Sequence, residues 1–291
     1  MKRYFLFIIL FLIVLGSHGQ QEPAAFAIDE QFTLWNFQKS DTAYVFAEVA
    51  YVRDQPNLQA PIVDSLSQAT PVTIMSEAYY GSTVRGFYAP WQEINYEKDN
   101  QRRKGYIWIG LLALIKNTSQ NGEIFIYGLK RYPPSSEYSS QYYDTELKVF
   151  NNQMELIAKE SFHAQVDGQT GVQAKVLPPM GLKNIQNIYR IAFLSEACGI
   201  PTLYYYYVWN GTKLIRFPDR MSVSDAGVFF IDEQILFPSE HQDDPSIIFK
   251  NRTVGENSDI DDAQDPVYEE TVNQQLYSWD GYELREIITM Q

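Results

Sequence analysis

Tyr207-Val208-Trp209-Asn210-Gly211-Thr212-Lys213-Leu214 and Tyr277-Ser278-Trp279-Asp280-Gly281-Tyr282-Glu283-Leu284 follow one pattern, aromatic-x-Trp-[Asn/Asp]-Gly-x-x-Leu. Asn-Gly and Asp-Gly supply the positive φ values of a type I′ turn, so each copy reads as a tight β-hairpin. Val149-Phe150-Asn151-Asn152-Gln153-Met154-Glu155-Leu156 is a weaker copy. The turns lie about 60 and 70 residues apart, a spacing that fits one multi-strand sheet per interval. Outward from these hairpins, short runs rich in Val, Ile, Tyr and Phe recur between Gly, Pro, Asn and Asp, with no sustained helical period. An all-β chain is expected.

In the first part, Ala43 to Val52, Pro61 to Leu66, Pro71 to Ser76, Trp91 to Tyr96 and Gly105 to Ile109 read as five strands. Asn117-Thr118-Ser119-Gln120-Asn121-Gly122 is a polar cluster with turn chemistry. A boundary is therefore expected there: an N-terminal segment over 20–42, a first β-domain over 43–116, a linker over 117–122 and a larger β-rich domain over 123–291.

The order of local motifs in the first domain is specific. Val49-Ala50-Tyr51-Val52-Arg53-Asp54-Gln55-Pro56-Asn57 is an alternating strand ending in a polar turn. Pro61-Ile62-Val63-Asp64-Ser65-Leu66, Thr70-Pro71-Val72-Thr73-Ile74, Trp91-Gln92-Glu93-Ile94 and Gly105-Tyr106-Ile107-Trp108-Ile109 follow. This succession resembles the bacterial SH3-like domain, over residues 43 to 115. The resemblance implies a small SH3-like barrel and a binding role toward cell-wall peptidoglycan or an envelope protein. In the second domain, Gly199-Ile200-Pro201-Thr202-Leu203 and the hairpin after it resemble degenerate propeller-type repeats of exported bacterial proteins. Ser195-Glu196-Ala197-Cys198 stands where such repeats carry calcium-binding aspartates, so no metal is implied there. A partial propeller-like assembly of antiparallel sheets, or a β-sandwich, is expected.

The chain has 291 residues and a formal charge of −13, with 21 Tyr, 17 Phe and 5 Trp against one Cys and three His. That aromatic content excludes a disordered chain. The acidic balance argues against nucleic acid, whose phosphates are held by dense Lys and Arg surfaces. Met1 to Gly19 have the parts of a secretory signal: Lys2 and Arg3, an apolar run from Tyr4 to Leu15, and small residues at Ser17 and Gly19. Export to the periplasm or beyond is expected, with no transmembrane anchor after cleavage, since the run is shorter than the roughly 20 residues that span a bilayer. Cys198 stands alone, so no internal disulfide forms, and its Ala and Gly neighbours suggest a small core position.

Chemistry-bearing clusters are sparse. His163 and His241 stand apart from any nucleophile motif, and Gly-x-Ser-x-Gly, His-Glu-x-x-His and Cys-x-x-Cys are absent. Neither a catalytic residue nor a metal ligand nor a cofactor is assigned. From Asp232 to Glu270, twelve acids face Lys250 and Arg252. Asp259-Ile260-Asp261-Asp262-Ala263-Gln264-Asp265 within it offers oxygen ligands without the Gly and terminal Glu of an EF-hand loop, and reads as a solvated acidic loop ahead of a calcium site. Trp91 and Trp108 read first as core of the first domain. Tyr79, Tyr80 and Tyr88 crowd, beside Trp91, a long segment expected as a loop, where exposed rings stack on sugars or peptide. These four are the candidate ligand-binding residues. Arg102-Arg103-Lys104 reads as a hairpin tip. The expected function is non-enzymatic binding; a scaffold that docks a partner chain through the second domain is the alternative, and a hydrolase built on two carboxylates stands behind both.

Overall fold

The computed structural model describes residues 34–132, 142–165, 168–241, 243–257 and 266–287. The expected signal segment over 1–19 and the acidic stretch Asp259 to Asp265 lie outside the described residues. The chain is all-β, in three antiparallel sheets.

The first sheet contains β1 (Thr42–Tyr44), β2 (Val49–Arg53), β3 (Ile62–Ser67), β4 (Pro71–Ile74), β5 (Tyr79–Val84), β6 (Phe87–Lys98) and β7 (Gln101–Trp108). Its order is β1-β4-β6-β7-β2-β3, with β5 on β6, and the end strands β1 and β3 do not pair with each other. The sheet is therefore open, where a barrel was expected. Trp91 and Trp108 sit opposite each other on β6 and β7. Both indoles are buried and hold β5 from below: Trp91 Nε1 donates to Ser82 Oγ at 3.0 Å and Trp108 Nε1 to the Ser82 carbonyl at 2.9 Å. Met75 to Pro90 thus contains β5, a tight turn and the start of β6 in place of the expected loop. The β6–β7 hairpin turns at Asp99 and Asn100, both at positive φ (53° and 57°). Two small polar residues tolerate that geometry, so Arg102-Arg103-Lys104 lies along β7 and not at the tip.

The second sheet, β8 (Ile115–Thr118), β9 (Ile124–Arg131), β10 (Tyr142–Phe150) and β11 (Leu156–Gln165), has the order β11-β10-β9-β8. Asn117 and Thr118 are in β8 and pair with Phe125 and Ile124. The expected linker is thus a hairpin turn, closed by Ser119 N donating to the Glu123 carbonyl at 2.8 Å. Turn chemistry marks hairpins and linkers alike, and only the pairing distinguishes them.

The third sheet runs in sequence order through β12 (Gly171–Leu177), β13 (Asn187–Leu194), β14 (Thr202–Trp209), β16 (Arg220–Asp225), β17 (Phe229–Leu236), β18 (Ile247–Glu256), β19 (Glu269–Trp279) and β20 (Leu284–Ile287), with β15 (Leu214–Arg216) on β14. It is one continuous sheet without division into blades. A single helical turn, α1 (Pro238–His241), follows β17. Both Trp-Asn/Asp-Gly copies are hairpins, with Trp209 opposite Leu214 and Trp279 opposite Leu284. Their loops are longer than a two-residue type I′ turn because the side chain closes them. Asn210 Oδ1 accepts from the Thr212 and Lys213 amides, as Asp280 Oδ1 does from Tyr282 and Glu283. Only the glycines take positive φ, 93° at Gly211 and 99° at Gly281.

β13 and β14 are covered on both faces, which accounts for the almost unbroken apolar run Tyr204 to Trp209. Ile188, Tyr206 and Val208 face a cluster with Leu182, Phe217, Phe237 and Trp279. Tyr189, Ile191, Tyr205, Tyr207 and Trp209 face the second sheet, against Phe125, Tyr127, Leu147 and Phe162. Phe125 and Tyr189 stack at 4.9 Å, and Phe162 meets Tyr205 and Tyr207 at 5.3 and 5.1 Å. This face-to-face packing of two sheets is the sandwich arrangement.

Candidate functional site: a charged cleft between the first and second sheets

β10 alternates strictly. Tyr143, Thr145, Leu147 and Val149 turn one way, and Asp144, Glu146 and Lys148 turn the other. β11 answers in register, with Asp144 opposite His163, Glu146 opposite Ser161 and Lys148 opposite Lys159. On the other side, a bulge shifts the β9 register between Leu129 and Arg131, so the extra residue Lys130 joins Arg131 on the charged face. The sequence thus places one charged plane on the second sheet.

That plane meets the start of β2 and the β5–β6 turn of the first sheet. Together they enclose a cleft of about 1130 Å³. Its deepest charge is Lys148, 2 % exposed. Its ammonium donates to the Phe46 carbonyl at 2.7 Å and to Gln68 Oε1 at 3.1 Å, and lies 3.6 Å from Glu146 Oε1. Burial pushes the Lys148 ammonium below its ordinary value, with Glu146 working against that loss. Glu146 is buried as well. Burial raises its carboxyl, but the Ser161 hydroxyl at 2.9 Å together with Lys148 and Lys130 outweighs this and holds it below the usual range. At the lip, Arg131 binds Asp144, and His163 Nδ1 lies 2.8 Å from the other Asp144 oxygen. Burial raises Asp144 too, and Arg131 and His163 more than offset it.

The wall from the first sheet is open: Val49 and Tyr51 are each 50 % exposed, with Phe46 and Glu48 beside them. The β5–β6 turn closes one end. Arg85 and Gly86 take φ of 55° and 88°, and a side chain at Gly86 would lie 1.9 Å from the Tyr132 carbonyl. Only glycine permits that approach, and the Tyr132 amide then donates to the Arg85 carbonyl at 2.8 Å. The docked turn sets the exposed Arg85 side chain on the cleft. Lys130, Arg131, Lys148 and Lys159 each hold a carboxylate; among the described residues Arg85 has no ion pair.

The four aromatic candidates lie elsewhere, on β5 and β6. Trp91 is core, 2 % exposed. Tyr79 packs edge-on against Tyr106 at 5.5 Å, the Tyr88 hydroxyl accepts from the Gly81 amide at 2.7 Å, and Tyr80 is 62 % exposed. Trp91 therefore presents no face to a ligand, and the three tyrosines do not converge on the cleft. Cys198, expected in the core, is exposed in the β13–β14 turn. His241, the last residue of α1, packs edge-on against Phe249 at 4.8 Å, its ring bonded to the Ile247 carbonyl at 2.9 Å and the Asp243 amide at 3.0 Å. Among the described residues, no group of three His, Cys, Asp or Glu side chains is placed to hold a metal, and no helix is long and apolar enough to cross a membrane.

Fold and cleft define an all-β protein with an open, mixed-charge groove between two sheets, walled by an exposed tyrosine. No protein-family model, curated protein or solved structure matches the chain.

Proposed function

We propose that this is a non-enzymatic, exported binding protein whose cleft takes a segment of cell-wall peptidoglycan, or of an envelope protein, that carries a free carboxylate. The observation that carries the reading is Arg85, which among the described residues has no ion pair and lines the groove together with the half-exposed Tyr51. A guanidinium binds a carboxylate through two parallel N–H bonds. An exposed phenol ring stacks on a sugar or peptide face. The alternating Lys, Arg, Glu and Asp of the rim suit a chain bearing both amines and carboxylates, as peptidoglycan stem peptides do. The SH3-like motif order and the secretory signal support the same reading.

Sedimentation with purified sacculi tests it. The mature protein is expected to pellet; Tyr51→Ala and Arg85→Ala are expected to reduce pelleting at least tenfold, with circular dichroism unchanged. Retention by both variants, with loss in Tyr79→Ala/Tyr80→Ala/Tyr88→Ala, would move the site to the β5–β6 face. A second reading, docking of an envelope partner through the third sheet, is favoured by one observation. Glu269 to Gln275 of β19 are exposed at every position, and β20 pairs with β19 only from Leu276 onward among the described residues. Such an edge accepts an added strand. Absence of pelleting, with a partner cross-linked at β19, would favour it.

A further inference from the structure

The third sheet carries a second local excess of positive charge, distant in sequence from the cleft and of different composition. Lys175 on β12 stands directly opposite Arg190 on β13, and Arg190 opposite Tyr206 on β14. Two register positions along the same face, Tyr204 on β14 stands opposite Arg220 on β16. Directly opposed like charges destabilise a sheet. The pair Lys175 and Arg190 is nonetheless present in a chain of net charge −13.

Carboxylates do not neutralise these groups. Among the described residues, Lys175, Arg190 and Arg220 have no ion pair. Glu233, the nearest buried acid on β17, is already held by Lys250 at 3.1 Å, by Arg252 at 3.8 Å and by the Met221 amide at 2.9 Å. Asp232 faces Ser222, one row further along, and accepts from Gln234. Tyrosine rings hold the arginines instead. The Arg220 guanidinium lies 4.1 Å from the Tyr204 ring centre and that of Arg190 5.5 Å. Arg220 donates through Nη1 to the Glu233 carbonyl at 3.2 Å, while its Nε, shielded from solvent, has no acceptor among the described residues. Burial pushes the Tyr206 phenol up, and Arg220 and Arg190 both pull it back, so the two guanidinium groups share one neighbourhood.

We propose that Arg190 and Arg220, bracketing Tyr204, with Lys175 beside them, form a binding site for a phosphate group. Three cations on one face, two of them held against the Tyr204 ring, match a multiply charged oxyanion better than a single carboxylate. Guanidinium forks supply paired donors to its oxygens. The stacked tyrosine keeps the arginines extended before the anion arrives, which lowers the ordering cost of binding. The same chemistry is offered by free phosphate and by the phosphodiester of a lipid headgroup.

Isothermal titration of the full chain with inorganic phosphate, and flotation with phosphatidylglycerol vesicles against phosphatidylcholine vesicles, form the two arms. Saturable binding is expected in at least one arm, tenfold or more weaker in Arg190→Gln and Arg220→Gln. Phosphate alone identifies a soluble ligand, and anionic vesicles alone identify a lipid headgroup. Because Arg220 also bonds the β17 backbone, Arg190→Gln and the exposed Lys175→Gln carry the test if Arg220→Gln unfolds. No saturable binding in either arm, or binding unchanged in Arg190→Gln and Lys175→Gln, overturns the site. Arg85→Ala, which acts in the cleft, is expected to leave phosphate binding unchanged.

Discussion

The second sheet has two neighbours, and both junctions are apolar, but only the one with the first sheet borders the charged cleft. Toward the third sheet its surface is dry: Phe125, Tyr127 and Phe162 interlock with Tyr189, Phe193, Tyr205 and Tyr207. Toward the first sheet apolar packing, with Phe46 and Ala69 against Ile126 and Phe150 and Phe87 against Tyr143, gives way to a charged cleft crossed by polar bonds from Lys148 to Phe46 and Gln68 and from Tyr132 to Arg85. Aromatic packing holds the second sheet against the third. Toward the first sheet the apolar packing stops at the charged face of β10, and the space left there is where a ligand fits.

Breaking either side tests the contrast. Lys148→Met leaves the Phe46 carbonyl, Gln68 and the buried Glu146 without their cation, and is expected to cost about 3–5 kcal/mol in chemical denaturation. Replacing the pair, as Glu146→Leu/Lys148→Met, is expected to recover part of that loss, because an apolar pair leaves no uncompensated charge. Phe125→Ala in the dry interface is expected to cost a similar 3–5 kcal/mol, about equally at low and high salt. If the double variant is no more stable than Lys148→Met, Lys148 does not act through charge.

A smaller effect is expected at Gly211→Ala, about 1–2 kcal/mol. Its φ of 93° disfavours any Cβ, and that Cβ would meet the Gln186 amide at 2.6 Å. Asp64→Asn probes the first sheet alone. Burial raises the Asp64 carboxyl, but hydrogen bonds from Lys98, the Ser65 amide, Arg103 and Tyr96 prevail and hold it at about 2, below its ordinary 3.8. A depressed carboxyl contributes its full stabilisation above pH 3.8 and loses it as pH falls through about 2. The stability gap between wild type and Asp64→Asn, about 1–2 kcal/mol at pH 7, is therefore expected to close across that window in acid titrations followed by circular dichroism. The smallest stability effect is expected at Arg85→Ala, within about 0.5 kcal/mol, while ligand binding falls.

Much of the fold was legible because its signals are local. The Trp-Asn/Asp-Gly copies specify their hairpins through a side chain two or three residues from the amides it binds. Trp91 and Trp108 marked the core of the first sheet, although Trp91 also entered the candidate site, since sequence position does not tell a stacked ring from a packed one. The cleft was not read. Its one local signal was the alternation of Asp144, Glu146 and Lys148 answered by Lys159, Ser161 and His163, which places ionisable groups on one face of two paired strands. Their meaning depends on Phe46 and Gln68, which lie 102 and 80 residues from Lys148. Nothing within a strand's length announces such a contact. The open first sheet was hidden for the same reason, because closure is decided by whether β1 and β3 meet.

Chemical-shift mapping with a soluble muramyl pentapeptide tests the cleft most directly. Saturable perturbation is predicted at the amides of Tyr51, Arg85, Lys130, Arg131 and Ser161, and it is predicted to be absent from Arg85→Ala. Perturbation centred on Tyr79 and Tyr80, or none at millimolar peptide, would contradict a binding role for the groove between the first and second sheets.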